Sequence, residues 1–346
     1  MILEQKAIRD LSLEQLKQEM LQHGEPAFRA KQVYEWIWKK SVRSFEAMVN
    51  IPKTTREWLN AEFSLRCVEV AEMQVSTDRT IKSSFRLHDE HLIEGVLIPT
   101  RERMTACVSS QVGCSLTCSF CATGYMDRKR NLEAFEIYDQ VVLIRNQAQE
   151  KYGIPLTNIV YMGMGEPLLN YANVLQSIEM ITSPEGLGMA SRRITVSTAG
   201  IAKMIRKLGD DQVKFNLALS LHAANDEKRN RIMPINETNT LEALTGALQY
   251  FYEKTENEIT LEYIIFNKFN DGLEDARELW EFAKQVPCKI NIIEYNPISQ
   301  ADFVNAEADA IAAFSGFLES KRMVVNVRRS RGKDIDAACG QLAGKK

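Results

Sequence analysis

The feature that most constrains the fold is an alternation of strand-like and helix-like segments that begins near residue 105 and runs almost to the C-terminus. Short apolar segments with strand patterning are separated by stretches of helical periodicity. Repeated strand–helix units predict a parallel sheet, either open and doubly wound or closed into a full or partial barrel. The predicted strands are Ala106–Ser109, Asn158–Met162, Arg193–Ser197, Lys214–Leu221, Glu258–Phe266, Lys289–Tyr295 and Met323–Arg328.

The remainder of the chain has different patterning. Apolar side chains in the first part, for example in Phe28–Lys40, recur at helical spacing, whereas the stretch before the alternating region has short, partly alternating strands. We therefore predict an α/β protein in four parts. These are a helical accessory domain at 1–66, a strand-rich connection at 67–100, the strand–helix region at 101–330 and a C-terminal tail at 331–346.

Composition excludes several classes of protein. A hydrophobic fraction of 45% and a charged fraction of 26% are ordinary for a globular protein and argue against disorder. No apolar run reaches the ~18 residues of a membrane span, and the first ten residues lack a signal-peptide core, so we expect a cytoplasmic protein. Because the net charge is −3, any nucleic-acid contact must use local positive charge. Two basic groups offer it: Arg128, Lys129 and Arg130, and Arg328, Arg329, Arg331 and Lys333.

Unusual strings follow most of the predicted strands. In parallel sheets and barrels, ligands bind at the carboxyl ends of the strands, so strings placed there predict one shared site. The strings are Gly113–Cys121, Gly163–Pro167, Ser197–Gly200, Ser220–Asn225 and Tyr295–Pro297.

Three cysteines in the first string have the spacing C-x3-C-x2-C: Cys114, Cys118 and Cys121. Three thiolates are one ligand short of a closed zinc site or a fully protein-ligated iron–sulfur cluster. On a [4Fe–4S] cluster they leave one iron open for chemistry. A zinc site is the alternative, but the four scattered histidines supply no obvious fourth ligand.

The cysteine spacing resembles the signature of the radical S-adenosylmethionine (SAM) enzymes. The wider set of strings resembles the RlmN-type RNA adenine-C2 methyltransferases from about residue 85 to the C-terminus. The related Cfr-type adenine-C8 enzymes share most of them, although Pro167 resembles the C2 family. The strings are Cys107–Cys121, Gly163–Pro167, Ser220–Ala223, Met233–Asn236, Tyr295–Pro297 and Ile335–Leu342.

This resemblance implies a partial (β/α)6-type radical SAM barrel with an N-terminal helical, RNA-binding accessory domain. It implies one [4Fe–4S] cluster on Cys114, Cys118 and Cys121, and two SAM molecules per turnover. It further implies that Cys339, in a tail that the sequence predicts to be flexible, carries an S-methylcysteine intermediate. Cys107 would then be the resolving thiol, through a transient disulfide with Cys339. Without the resemblance, Cys339 is an incidental thiol and Cys107 a small core residue.

The resemblance also assigns a proton acceptor and a SAM-binding set. Glu94 matches the acceptor, and its apolar neighbours in sequence indicate a buried carboxyl group that would favour taking up a proton. An exposed strand glutamate is the competing interpretation. The SAM-binding set has simpler alternatives in a tight glycine turn and a core histidine. It comprises Gly165, Glu166, Ser197, Ser220, Leu221, His222 and Asn296.

We therefore expect an enzyme that methylates C2 of adenine in 23S ribosomal RNA and in certain transfer RNAs. The resemblance implies an external flavodoxin- or ferredoxin-like electron donor, and we expect a monomer without a membrane partner. Two alternatives stay open here: a C8-methylating enzyme, and a non-catalytic iron–sulfur or zinc protein that binds RNA. Cys67 and Cys288 are expected to be packing residues.

Overall fold

A computed structural model describes residues 5–344. The outermost residues of the predicted accessory domain and tail, 1–4 and 345–346, lie outside the described residues. Three helices and a pair of two-residue parallel strands form the N-terminal region, and a capping box of Ser12 and Gln15 begins the first helix. In chain order these elements are β1 (Lys6–Ala7), α1 (Leu13–Gln22), α2 (Phe28–Trp38), α3 (Lys53–Glu62) and β2 (Phe63–Ser64).

The next strands form an antiparallel meander that leads into the main sheet. They are β3 (Glu69–Val75), β4 (Ile81–Arg86), β5 (Leu92–Pro99) and β6 (Met104–Cys107). A small antiparallel pair follows, made of β7 (Gln111–Val112) and β8 (Arg130–Asn131). This pair closes the base of the loop that carries the three clustered cysteines.

The alternating region then forms six strand–helix units and a final strand. Its elements are α4 (Ala134–Tyr152), β9 (Asn158–Tyr161), α5 (Tyr171–Thr182), β10 (Ile194–Thr198), α6 (Ala202–Asp210), β11 (Asn216–Ser220), α7 (Asp226–Ile232), α8 (Leu241–Thr255), β12 (Ile259–Ile265), α9 (Leu273–Ala283), β13 (Lys289–Glu294), α10 (Ala308–Ser320) and β14 (Val324–Arg328). All seven predicted strands are present, with ends shifted by a few residues.

These strands form one ten-stranded sheet in the order β14-β13-β12-β11-β10-β9-β6-β5-β4-β3. Within this sheet the strands β6, β9, β10, β11, β12, β13 and β14 are parallel. Strands β3 and β14 lie at its two edges. The parallel part of the sheet is therefore a partial (β/α)6 barrel with one added strand, β14, which confirms the predicted fold. Every residue of β12 is buried, as expected for a parallel strand covered on both faces. Among residues 5–344, no helix is both long and apolar enough to cross a membrane.

A buried ion pair joins the N-terminal region to the barrel. The Arg9 guanidinium lies 2.6 Å from the Asp139 carboxylate on α4, and each residue is 4% exposed. Asp139 also accepts a hydrogen bond from the Val68 N–H at 3.1 Å. The guanidinium lies 5.6 Å from the ring centroid of Trp38 and 5.7 Å from that of Phe135. This pair fixes how the accessory helices pack on the barrel.

Replacing Asp139 with Ala should therefore destabilise the protein strongly. The change leaves the buried Arg9 charge and the Val68 N–H without a partner, so we expect a loss of about 3–5 kcal/mol in the free energy of unfolding. Urea denaturation of both proteins measures it. Glu57→Ala is the matched control, because Glu57 pairs with Lys53 on the exposed face of α3. An Asp139→Ala loss no larger than that of the control would show that the buried pair is not a structural anchor.

Candidate active site

The three clustered cysteines lie in the loop between β7 and β8. Gly113 begins the loop with φ +77°, and a Cβ there would lie 2.2 Å from the carbonyl oxygen of Asp127, so the closure requires glycine. Within the loop, the Cys121 N–H donates to the Cys118 carbonyl at 3.2 Å. Ser119 N–H donates to the Ile232 carbonyl at 3.0 Å, which ties the loop to the end of α7.

The thiols of Cys114, Cys118 and Cys121 line one cavity of about 150 Å³ at the carboxyl ends of the parallel strands. The strings that follow β9, β10 and β11 line it as well, so the structure brings together much of the predicted site. Other residues around the cavity are Gly163, Gly165, Glu166, Ser197, Ser220, His222, Glu262, Arg328 and Cys339.

The three cysteines do not form a compact site for a single metal ion in this structure. Among residues 5–344, no three His, Cys, Asp or Glu side chains converge closely enough to hold one ion. In a [4Fe–4S] cluster each cysteine binds a different iron, so the sulfurs surround the cavity rather than meet at a point. Burial raises the pKa of the Cys114 thiol to about 11, and burial together with the other two thiols raises the pKa of Cys118. Because the thiolate is the ligand form, cluster binding must release these protons.

The glycine turn after β9 is shaped by close backbone approach. Gly165 has φ +93°, and a Cβ there would lie 2.5 Å from the Gln111 side chain. The Glu166 carboxylate accepts hydrogen bonds from the Ala199 N–H at 2.7 Å and the Leu168 N–H at 3.0 Å. Burial raises the pKa of Glu166 to about 7. The carboxylate thus orders two loops of the rim as well as lining the cavity.

His222 is neutral and held in one orientation. Its Nδ1 accepts a hydrogen bond from the Ile264 N–H at 3.0 Å, which leaves the proton on Nε2. Burial, with a smaller contribution from the Arg229 charge, lowers the pKa of His222 to about 3. Ser197 and Ser220, on neighbouring strands, have their hydroxyls 3.3 Å apart beside it. These three side chains present hydroxyl and imidazole groups to the cavity.

Two members of the predicted SAM-binding set lie elsewhere. Leu221 is fully buried and does not line the cavity, and its carbonyl accepts a hydrogen bond from Arg229 at 3.0 Å. The Asn296 amide instead donates to the Cys339 carbonyl at 3.2 Å, while its buried Oδ1 has no partner among residues 5–344. Of the predicted SAM-binding set, Gly165, Glu166, Ser197, Ser220 and His222 line the cavity, whereas Leu221 and Asn296 do not.

Cys339 and Cys107 meet at a second cavity of about 110 Å³ that adjoins the first. Cys339 and Arg328 line both cavities. Burial raises the pKa of the Cys107 thiol to about 12, the nearby Cys339 adds to this, and Arg328 opposes it. All seven cysteines are free thiols in this structure. The arrangement places two lone thiols side by side next to the cluster loop.

The C-terminal tail is docked, and the expectation of a flexible tail is wrong for the described part. The Ala122 N–H donates to the Gly340 carbonyl at 2.7 Å, and the Thr123 hydroxyl donates to the Leu342 carbonyl at 2.6 Å. Both donors belong to the segment just after Cys121. The tail is therefore fixed by the same loop that holds the three cysteines, which the composition of the tail alone does not indicate.

Glu94 is buried, at 4% exposed, but its surroundings are not apolar. Its Oε2 accepts a hydrogen bond from the Ala343 N–H at 2.8 Å, and its Oε1 lies 3.7 Å from the Lys82 ammonium. Lys82 is on the same face because Ser84, two residues along β4, is the register partner of Glu94. Glu94 lines neither cavity, so the structure connects it to the site through the tail.

Sequence reasoning missed Glu262 as a residue of the site. Glu262 lies on the fully buried strand β12, and its carboxylate accepts from the Asn291 amide at 2.8 Å and lies 3.4 Å from the Arg328 guanidinium. Glu262 is the single acidic residue in the otherwise largely apolar sequence of β12, and this pattern could have indicated a residue of the site. Arg328, which was predicted to bind phosphate, lines the cavity, since β14 pairs with β13 beside Glu262, and its contact with phosphate stays a prediction.

Two family models match this chain, and similar proteins cover nearly all of it. Residues 7–65 match the family model described as ribosomal RNA large subunit methyltransferase N-terminal domain, and residues 108–281 match the radical SAM superfamily. The probable dual-specificity RNA methyltransferase RlmN of Cytophaga hutchinsonii is 64% identical over 341 residues, covering 99% of this chain and 93% of the relative. The protein of the same name from Bacillus subtilis is 42% identical over 342 residues, covering 99% and 94%.

Solved structures give the same fold. A radical SAM methyltransferase from Sphaerobacter thermophilus has a TM-score of 0.93 and 38% identity, covering 98% of this chain and 100% of that one. HydG, a maturase of the [FeFe]-hydrogenase, has a TM-score of 0.51 at 13% identity, covering 68% and 54%. The second likeness is one of fold alone.

Proposed function

This chain belongs to the RlmN family of radical SAM RNA methyltransferases, and from that premise we propose that it methylates C2 of adenine in 23S ribosomal RNA and in certain transfer RNAs. One observation carries the proposal. The cavity lined by the thiols of Cys114, Cys118 and Cys121 is also lined by Cys339, and Cys107 faces Cys339 in the adjoining cavity. The site thus joins a cluster loop to the two further thiols that this chemistry requires.

The target atom explains why a thiol is needed. C2 of adenine lies between two ring nitrogens and is electron-poor, so it attacks the sulfonium methyl of SAM poorly. A thiolate is a far better nucleophile. We propose that Cys339 takes the methyl group first and presents it to the adenine, because its side chain opens into the cavity where SAM would bind.

We propose that Cys114, Cys118 and Cys121 hold a [4Fe–4S] cluster, as membership of the superfamily implies. When bound, the cluster supplies the electron that cleaves a second SAM molecule and so activates the methyl group on Cys339. Glu166, Ser197, Ser220 and His222 would orient SAM with their polar groups on the cavity wall.

Cys107 would release the product. Once the methylene carbon joins Cys339 to the RNA, the adduct must give up one electron, which the cluster would take back, and the C2 proton, which Glu94 would accept. The Cys107 thiolate then attacks the Cys339 sulfur. The carbon–sulfur bond breaks as the sulfur–sulfur bond forms, and the RNA leaves with the electron pair and takes up a proton. The disulfide must be reduced before the next turnover. Burial raises the pKa of Cys107 to about 12, so the positive charge of Arg328 is needed to favour the attacking thiolate.

Glu94→Gln tests the proposed proton acceptor. Gln retains an oxygen for the Ala343 N–H, so the tail should stay docked while the ability to take the C2 proton is lost. We expect normal SAM cleavage but methylation slowed by about 10²–10⁴-fold, the usual contribution of a general base. Glu90→Gln, an exposed carboxylate paired with Arg86, is the control. Equal methylation rates in Glu94→Gln and the control would remove Glu94 from the mechanism.

The remaining proposals concern partners. We propose that the RNA phosphates contact the basic groups that flank the site, and that the helices of residues 5–66 add to RNA binding. We also propose an external flavodoxin- or ferredoxin-like electron donor and a monomer that works in the cytoplasm, where its RNA substrates are found. The four-part domain division given above stays a prediction.

Anaerobic reconstitution tests whether this is a radical enzyme. We expect about four iron and four sulfide per chain, with formation of 5′-deoxyadenosine from SAM only when a reductant is added. A non-catalytic RNA-binding protein would bind RNA without cleaving SAM. Stable RNA binding without reductant-dependent cleavage would therefore overturn the proposed function.

A further inference from the structure

Arg229 is a cation buried directly behind the wall of the cysteine-lined cavity. It lies on α7 and is 0% exposed. Its guanidinium donates to three backbone carbonyls just after β10 and β11: Ala199 at 2.6 Å, Leu221 at 3.0 Å and Ser220 at 3.2 Å. Ala199 and Ser220 also line the cavity, so one layer of backbone separates the charge from it.

No carboxylate within the described chain, residues 5–344, forms an ion pair with Arg229. Its remaining acceptor is the Asn236 amide oxygen, at 2.6 Å. The Asn236 amide in turn donates to the exposed Asp226 carboxylate at 2.7 Å. Burial lowers the pKa of Arg229 to about 10, which still leaves it charged at neutral pH. The ionisable groups that act on this charge are Cys118 and Asp226, and neither is a direct ion-pair partner. A buried cation without a directly paired anion is unfavourable unless another group compensates it.

The surroundings of Arg229 do not screen its charge. Cys118 and Cys121 pack against a buried apolar cluster that includes Phe120, Ile232 and Met233. The imidazole ring of His222, whose pKa the charge of Arg229 helps to lower, is neutral. In such a medium a charge acts over several ångströms with little attenuation.

We infer that Arg229 is the counter-charge of an anionic iron–sulfur cluster held by Cys114, Cys118 and Cys121, and that its field favours the reduced cluster. The inference rests on the proposed function. A cluster ligated by three thiolates carries negative charge, and each electron received from the external donor adds to it. A fixed positive charge one backbone layer away therefore stabilises the reduced state more than the oxidised state. Arg229 acts through the cluster and does not touch the substrate.

The test is the midpoint potential of the reconstituted full-length protein, measured by spectroscopic redox titration without SAM. At a fixed potential, Arg229→Gln should lower the ratio of reduced to oxidised cluster by about tenfold, by Coulomb's law at this depth. For a one-electron couple this is a shift of about 59 mV to lower potential. Arg229→Lys keeps the charge but loses hydrogen bonds, so its potential should stay near that of the wild type even if its stability falls.

Two further variants make the test decisive. Arg231→Gln removes an exposed charge from the same helix, which water and salt screen, and should leave the potential unchanged. The exchange Asn236→Asp with Asp226→Asn moves a carboxylate onto the Arg229 guanidinium at constant net charge. It should lower the potential as Arg229→Gln does, and it decides the question if Arg229→Gln fails to fold.

The outcomes separate the inference from the proposed function. A wild-type protein that binds no cluster would overturn both. A wild-type cluster whose potential is the same in Arg229→Gln, or in the exchange variant if that replaces it, would overturn the counter-charge alone. Equal shifts in Arg229→Gln and Arg229→Lys would show that the hydrogen bonds matter rather than the charge, and would also overturn it.

Discussion

Replacing Cys107 with Ala should leave the enzyme covalently attached to its RNA. Cys107 acts only after the carbon–carbon bond has formed, so the variant can still methylate Cys339 and join it to adenine. Release then fails because the other cysteine that lines the shared cavity, Cys121, would be held as a cluster ligand. We expect free methylated RNA to fall below detection and an adduct to accumulate to about one per active chain, as in other covalent mechanisms blocked at resolution.

Denaturing gel electrophoresis with labelled RNA measures the adduct as a slowly migrating band. The band should be absent when Cys339 is also replaced with Ala. Cys288→Ala is the matched control, because burial raises the pKa of that thiol to about 12 as well but it packs at the start of β13, away from both cavities. Methylated RNA released by Cys107→Ala at the control rate would contradict the resolving role. An adduct that persists in the double variant would show that Cys339 is not the point of attachment.

Cys118→Ala should abolish both cluster binding and SAM cleavage. Cys118 is the middle one of the three proposed ligands and packs against the buried apolar cluster where it lines the cavity, so its replacement leaves only two of the proposed thiolates. We expect the brown absorbance of the reconstituted protein and all 5′-deoxyadenosine to be lost.

The control for this variant is Cys67→Ala, a partly buried thiol beside Arg9 and Asp139 and remote from the cavity. Iron and sulfide analysis of both proteins, with circular dichroism to verify folding, makes the comparison. A folded Cys118→Ala protein that retains a redox-active cluster and cleaves SAM would show that the ligand assignment is wrong.

Local patterns in the sequence predicted the fold well. The seven parallel strands were each visible as short, largely apolar runs, which strands buried on both faces, such as β12, require. The cysteine spacing and the strings after the strands likewise placed most of the site on one edge of the sheet. These features are encoded within a few residues of each other, which is why a single sequence shows them.

The features that the sequence did not predict depend on contacts between residues that are far apart in the chain. The hydrogen bond from Thr123 to Leu342 spans 219 residues and that from Ala343 to Glu94 spans 249, so the sequence alone predicted a loose tail and an apolar setting for Glu94. The buried position of Arg229 was hidden in the same way. Its neighbours in sequence are charged or polar, and the three carbonyls that hold it come from the ends of two strands, β10 and β11.

The most direct test of the proposed function is the identity of the methylated nucleoside. Reconstituted wild-type protein should be incubated anaerobically with SAM, a reductant and unmodified 23S ribosomal RNA, and the digested nucleosides analysed by mass spectrometry against synthetic standards. The family membership predicts 2-methyladenosine, and the proposed mechanism predicts that it forms only with reductant and is absent with Cys339→Ala. Formation of 8-methyladenosine, or of no methylated adenosine by a protein with a full cluster, would contradict the proposal.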